Sequence, residues 1–472
     1  MQNVQLAMLR FRATSDMIEA VNGENAMVFR RKILERLKSW KAESQGRSAL
    51  LVEGARRVGK SFVVAQFGKS EYRSCIVVDF SSPLPNTLAA ILSAPYDLDG
   101  FFTALALEYR TRLFPRESLI VFDEVQLCPK ARQMIKHLVA DGRYDFIETG
   151  SLVTLKTVVK DILIPSEEER IEMHPMDFEE FCWALDDDVT VDFARECFTR
   201  RKPLGALHST VMKRYQEYLC VGGMPQAVAE YKDSHDLPRT DKIKRGILKL
   251  YRDDIGKFAK GNAAKARRIF DEIPGQLSRK EKKYRLSSLE KSARMRTYED
   301  AFMWLVDAKV VNPCYNATDP TVGMALSSDC ATQKLYMGDT GLLMTLALGE
   351  TAVVDGELYK AIFTGDVYFN KGMIAENAVA QAFVASGRKL FFYSRAASKS
   401  RKTEIEIDFL IRRGKEICPI EVKSGNYRNH ASLDKFASRF SGRLGESFIL
   451  YPKDVLVKDG IVHLPIYMSM FL

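Results

Sequence analysis

The 472 residues are 46% hydrophobic and 28% charged, which excludes a disordered or collagen-like chain and fits about three globular domains. No apolar run reaches the roughly 18 uncharged residues of a membrane helix, and Val4–Leu9 is too short for a leader, so a cytoplasmic protein away from membranes is expected. The formal net charge is +9, and the eight cysteines form no C-x-x-C pair and no zinc-spaced cluster, the pattern of a reduced compartment.

Residues 1–28 read as a helical lead-in. Apolar residues at Ile33, Leu34 and Leu37 then give a helix period between Phe29 and Trp40. A strand is predicted over 49–52, a glycine turn after it, a helix over 60–67 and a strand over 74–80. Asp99 is the expected N-cap of a helix over 99–113. The run Leu119–Phe122 reads as a buried strand, and another strand ends near Ile147. This alternation predicts an α/β fold with a parallel sheet over 29–175. Residues 176–263 read as mostly helical, 264–345 as three helices and two strands, and 366–472 as α/β again.

The turn after the first strand carries the chemistry. It reads Gly54-Ala55-Arg56-Arg57-Val58-Gly59-Lys60-Ser61, a G-x-x-x-x-G-K-S loop between a predicted strand and a predicted helix. Glycines let the backbone curl so that its N–H groups point inward at phosphates. The helix begun at Lys60 adds the positive end of its dipole. Lys60 supplies a charge to the outer phosphates, and Ser61 a hydroxyl to Mg²⁺. The loop predicts binding of a nucleoside triphosphate, ATP, with Mg²⁺.

The strand Leu119–Phe122 ends in Asp123-Glu124. Asp123 is expected to hold the Mg²⁺ through water, and Glu124 to polarise the attacking water. The next strand delivers Thr149-Gly150-Ser151, where Thr149 or Ser151 is placed to sense the terminal phosphate. The alternative for Ser151 is the N-cap of a following helix.

With His174-Pro-Met-Asp-Phe178-Glu-Glu-Phe181 and Gly222-Gly223-Met224-Pro225 added, the set resembles a family of bacterial and archaeal AAA-type P-loop ATPases. The resemblance runs from about residue 30 to 460. It implies an AAA-type core (29–175), a helical lid (176–263), a winged helix (264–345) and a small C-terminal domain of unknown function that is nuclease-like (366–472). Members usually carry Gly-Arg before the Pro-x-x-Phe stretch, where this chain has Glu169-Arg170. Arg170 is one candidate for the arginine that stabilises transferring phosphate, and Arg252 a second. An ordinary strand arginine is the alternative for Arg170.

Positive charge is concentrated between Gly256 and Arg296, where 13 Lys/Arg face 4 Asp/Glu, a net of +9. A helix is predicted over 264–277, a second opening at Ser287-Ser-Leu-Glu290, and a third from Thr297 to Ala308, followed by strands over 310–315 and 332–337. Three helices and a β-wing describe a winged helix-turn-helix. Lys280, Lys282, Lys283, Arg285, Arg294 and Arg296 crowd its second helix and are candidate contacts to DNA phosphates. The alternatives are a solvated helical face or a protein-interaction module within an oligomer.

Near the C-terminus, Glu376 lies in a predicted helix, Asp408 in an alternating strand, and Glu421 and Lys423 in the strand after a turn at 412–415. A hairpin there brings Asp408 close to Glu421 and Lys423, a set that binds Mg²⁺ and activates water for phosphodiester cleavage. The spacing resembles the PD-(D/E)xK nuclease fold. A surface ion-pair lattice and a nuclease-like domain that only grips DNA are the alternatives. The expectation is thus an oligomeric Mg²⁺-dependent ATPase acting on DNA. A nucleotide switch for a protein partner and an ATP-licensed nuclease are the other two readings.

Overall fold

The computed structural model describes residues 27–93, 97–151, 165–259, 261–279, 283–286, 295–349, 356–364, 370–396, 403–425 and 430–472. The lead-in before residue 27, the second helix expected at 287–290, and Lys280, Lys282 and Arg294 lie outside them.

The first sheet consists of β1 (Ala49–Glu53), β2 (Ser74–Asp79), β3 (Ser118–Asp123), β4 (Asp145–Gly150) and β5 (Glu168–Glu172). Their spatial order is β2-β3-β4-β1-β5, and every pair is parallel. β3 and β4 are buried along their whole length because helices cover both faces. Leu50, Val52, Val121 and Ile147 enter one core; Leu51, Ile120, Phe122 and Phe146 enter the other. Burying Phe122, completely inaccessible, contributes roughly 2–3 kcal/mol. The helix over Leu98–Glu108 is capped by Asp97, which accepts from the Gly100 N–H at 2.8 Å. Asp99, the expected cap, instead pairs with Arg143 at 2.7 Å.

Helices follow at Phe178–Ala184, Thr190–Arg200, Leu207–Val221, Pro225–Ser234 and Leu237–Phe258. The first opens on a capping box between Asp177 and Glu180. The single helix predicted over 264–277 is two, Ala263–Asp271 and Ile273–Leu277. Pro274 falls in the first turn of the second, where its missing N–H costs nothing. Met295–Asp307 forms the helix expected near 297–308.

The expected wing strands are present as β6 (Val311–Ala317) and β7 (Ser328–Met337), paired antiparallel. The hairpin does not end at its own edge. β6 also pairs parallel with β8 (Leu390–Ala396) and so joins a second sheet with β9 (Thr403–Arg413), β10 (Glu416–Val422), β11 (Ser447–Tyr451), β12 (Leu456–Lys458) and β13 (Ile461–Pro465). Its order is β12-β13-β11-β10-β9-β8-β6-β7. The division expected at residues 345–366 is therefore crossed by backbone hydrogen bonds. The unpaired edge of β6 needs partners, and β8 supplies them. One continuous apolar core runs from the first sheet through the helical region into this second sheet.

Candidate nucleotide site

All five strands of the first sheet point their C-terminal ends to one edge. The strand order changes direction at β1, with β4 on one side and β5 on the other, and such a crevice is where open α/β sheets bind ligands. The loop Gly54–Ser61 fills it. Gly54 is required by close approach, since a Cβ there would lie 2.2 Å from the Met173 carbonyl oxygen. Gly59 has φ of 97°, the left-handed region, and leads directly into the helix Lys60–Glu71. Ala55 and Val58 are buried, anchoring the loop from below, while Arg57 is exposed.

Lys60 is almost fully buried, and its Nζ donates to the Gly54 and Ala55 carbonyls, both at 3.0 Å. Burial pushes it down to about 8, against the pull of Glu124 and Asp123. The Ser61 hydroxyl donates to Asp123 Oδ1 at 2.7 Å. Thr149 also donates to Asp123, and its hydroxyl oxygen accepts the Glu124 N–H at 3.3 Å. Burial pushes the Asp123 carboxyl up, while the Ser61 and Thr149 hydrogen bonds oppose the rise. Of the two expected sensors, Thr149 is thus the one tied to Asp123. Ser151 is buried, and the helix it was expected to cap lies outside the described residues. Glu124 adopts φ of 54°, a conformation that costs a non-glycine residue about 1–2 kcal/mol. Its carboxylate is held by the Gln126 amide.

Ser61 and Asp123 fit Mg²⁺: a hydroxyl and a carboxylate oxygen already meet within hydrogen-bond distance at the phosphate loop, the oxygen donor set that this ion takes. Ser61 and Asp123 would hold such an ion, which would supply charge neutralisation to the phosphates.

The two candidate arginines each pair with a carboxylate of their own chain. Arg170, in β5 beside Leu51, pairs with Glu168 at 2.7 Å, and Glu168 also takes Arg132 at 2.9 Å. Arg252 pairs with Asp271 at 3.0 Å. Other residues, unmarked in the sequence, brace the loop. Arg56 pairs with Asp254 at 2.7 Å, and the Tyr251 hydroxyl donates to the Arg56 carbonyl at 3.0 Å. Buried Arg31 donates to the Val58 carbonyl at 3.0 Å, the His174 carbonyl at 2.7 Å and Glu180 at 3.1 Å.

The Gly222-Gly223 pair has a packing cause. A Cβ on Gly223 would lie 2.1 Å from the Met176 carbonyl oxygen, and one on Gly222 would lie 2.3 Å from Asp339. Asp339 accepts the Gly223 N–H at 2.6 Å, so the two sequence motifs and the start of the second sheet's helix Thr340–Leu348 are fastened at one point.

In the second sheet, the β9–β10 hairpin forms as expected, with Phe409 opposite Ile420, so one residue further on Asp408 and Glu421 face each other across the two strands. Glu376 lies in the helix Lys371–Ala385 and accepts the Tyr336 hydroxyl at 3.3 Å. Lys423 pairs with Glu421 at 2.5 Å. Among the described residues, no three His, Cys, Asp or Glu side chains converge as a metal site. The order helix, β8, β9, β10, helix Ala431–Phe440, β11, with β10 and β11 parallel, is the architecture around these acids. Of the basic set, Arg285 and Arg296 are exposed and Lys283 half-buried. The helix Ala263–Asp271 adds exposed Arg267 and Arg268 while burying Ala266, Ile269 and Phe270.

Three family models match parts of the chain: an AAA domain over residues 46–182, and two domains of unknown function, DUF8612 over 212–352 and DUF4143 over 371–468. A comparison with curated proteins gives no match. Among solved structures, a Walker-type ATPase of Pyrococcus abyssi is 14% identical, with 68% of this chain and 96% of that one covered and a TM-score of 0.39. The Aeropyrum pernix ORC1 protein, solved in complex with DNA, is 14% identical over 68% and 93%, TM-score 0.23. Cdc6p of Pyrobaculum aerophilum is 11% identical over 73% and 96%, TM-score 0.24. No helix among the described residues is long and apolar enough to cross a membrane. The AAA-domain match over residues 46–182 spans the residues whose backbone and side chains build the phosphate crevice, and this segment is similar to P-loop ATPase domains of the AAA type.

Proposed function

We propose that the chain is a Mg²⁺-dependent ATPase that acts on or with DNA as a homo-oligomer, in recombination, repair or defence against mobile DNA. The observation that carries the ATPase reading is the convergence of Lys60, Ser61, Asp123 and Thr149 at the head of a parallel sheet. In this reading the loop's N–H groups and Lys60 orient the triphosphate. Ser61 and Asp123 hold the Mg²⁺, and Glu124 accepts the proton of the attacking water. Arg170 and Arg252 are engaged elsewhere in their own subunit, which favours a neighbouring subunit as the source of the stabilising arginine. Localised charge supports the DNA reading: Arg267, Arg268, Arg285 and Arg296 all face solvent.

ATP turnover measured with and without single-stranded, duplex and four-way DNA, under a salt titration, tests this. Stimulation that fades with salt is the expected result. ATP turnover indifferent to every DNA, with no salt-dependent binding, would replace it with a nucleotide switch acting on a protein.

A further inference from the structure

The helix–strand arrangement around Glu376, Asp408, Glu421 and Lys423 implies a Mg²⁺ site for phosphodiester cleavage. The residues present do not fit that ion. Lys334 of β7 is completely buried, and its Nζ lies 3.1 Å from Glu406 Oε1 and 3.6 Å from Asp408 Oδ1. The same Nζ lies over the Phe392 ring of β8, 5.0 Å from its centroid. The other Asp408 oxygen accepts the Val422 N–H at 2.9 Å. Glu421, also buried, faces its own ammonium on Lys423, and Glu376 takes the Tyr336 hydroxyl.

A divalent ion at these acids needs carboxylate oxygens turned to one point, with room for the waters that Mg²⁺ retains. Here Asp408 is turned to Lys334 and the Val422 N–H, Glu376 to the Tyr336 hydroxyl, and one Glu421 oxygen to Lys423, so the oxygens do not share one point. A second cation beside a desolvated ammonium would meet like charge with little water to screen it. Glu406 and Asp408, in turn, are the counter-charges that the buried Lys334 ammonium meets.

We infer that Lys334 is the resident cation of the C-terminal carboxylate centre: it replaces the divalent metal that the nuclease-like arrangement implies, and the domain therefore holds its acids by ion pairing and cuts no phosphodiester. The inference concerns this centre alone and stands whether or not DNA is the chain's partner.

The test is calorimetric titration of the full-length, nucleotide-free protein with MnCl₂, paired with a plasmid-nicking assay in Mn²⁺. Wild type and Asp408→Asn are expected to give the same heats and no nicking that the substitution removes. Lys334→Met is expected to gain a Mn²⁺ site at least tenfold tighter than any in wild type, with a melting temperature that rises on adding Mn²⁺. Lys334→Met/Asp408→Asn should lose both gains. Mn²⁺ binding or nicking in wild type that Asp408→Asn abolishes would overturn the inference. So would a folded Lys334→Met protein that gains no Mn²⁺ affinity. If Lys334→Met fails to fold, the comparison of wild type with Asp408→Asn still decides.

Discussion

Arg56, the third residue of the phosphate loop, forms a 2.7 Å ion pair with Asp254, near the end of the long helix Leu237–Phe258. Tyr251, one turn earlier, donates its hydroxyl to the Arg56 carbonyl. Backbone and side chain of one loop residue are thus both held by the helical region. Arg56→Ala strands the largely buried Asp254 carboxylate. Because Arg56 is itself partly exposed, the expected loss is about 1–2 kcal/mol in urea unfolding. Amide hydrogen exchange over residues 250–258 should quicken as well; unchanged exchange there would show that the pair does not fasten the helix.

Lys60 makes nucleotide affinity depend on pH. Burial lowers it to about 8, and phosphates bind its protonated form. ATP affinity should therefore be flat below pH 7 and weaken about tenfold per unit above pH 8. Lys60→Ala should bind ATP roughly 10–100-fold more weakly and lose this pH dependence. A fluorescent-nucleotide titration from about pH 6.5 to 9.5 reads both. The same group makes the nucleotide-free fold more stable as pH rises from about 8 toward 10.5, because there the unfolded chain keeps a proton that the folded one has released.

Glu124→Gln should leave ATP affinity within about threefold of wild type while kcat falls about 10²–10⁴-fold, the range of a lost general base. The amide keeps the shape of the side chain beside Gln126 and removes only its basicity. A single-turnover hydrolysis assay with separately measured binding distinguishes the two effects. Rapid turnover in this variant would remove Glu124 from the chemistry.

Lys309 joins the two sheets where β1 and β5 end. Its Nζ lies 2.9 Å from Glu172 and 3.8 Å from Glu53, the residue before Gly54. Burial holds Glu53 above the usual carboxylate range, and Lys309 opposes that shift. Lys309→Ala leaves two carboxylates facing each other and should destabilise the protein by about 1–3 kcal/mol at pH 7.5. The loss should shrink as pH falls, because Glu53, held above the usual carboxylate range, then takes up a proton and the repulsion ends. Thermal unfolding across that range checks the sign.

The phosphate loop and the Asp123–Glu124 strand end were fully legible because their chemistry is local. Eight consecutive residues, Gly54–Ser61, carry the glycines, the lysine and the hydroxyl, and the strand and helix around them follow from periodicity. The hairpin that brings Asp408 to Glu421 was legible for the same reason. Helix ends were less so: Asp97 and Asp99 are equivalent as cap residues in the sequence, and only the Gly100 N–H distinguishes them. Arg170 and Arg252 read as candidates to stabilise transferring phosphate, and only the fold shows their partners Glu168 and Asp271.

The sequence by itself determined the parallel sheet and the glycine-rich loop between β1 and the helix after it, since each is written in neighbouring positions. The tertiary structure decided what those residues lean on. Arg56 and Asp254 are 198 positions apart, and the hairpin β6–β7 becomes part of the second sheet only when β8 arrives at its edge. The same holds for Lys334 among Glu406 and Asp408. A buried charge must find its counter-charge somewhere, but which one it finds depends on packing across the whole chain, and no short window of sequence contains that choice.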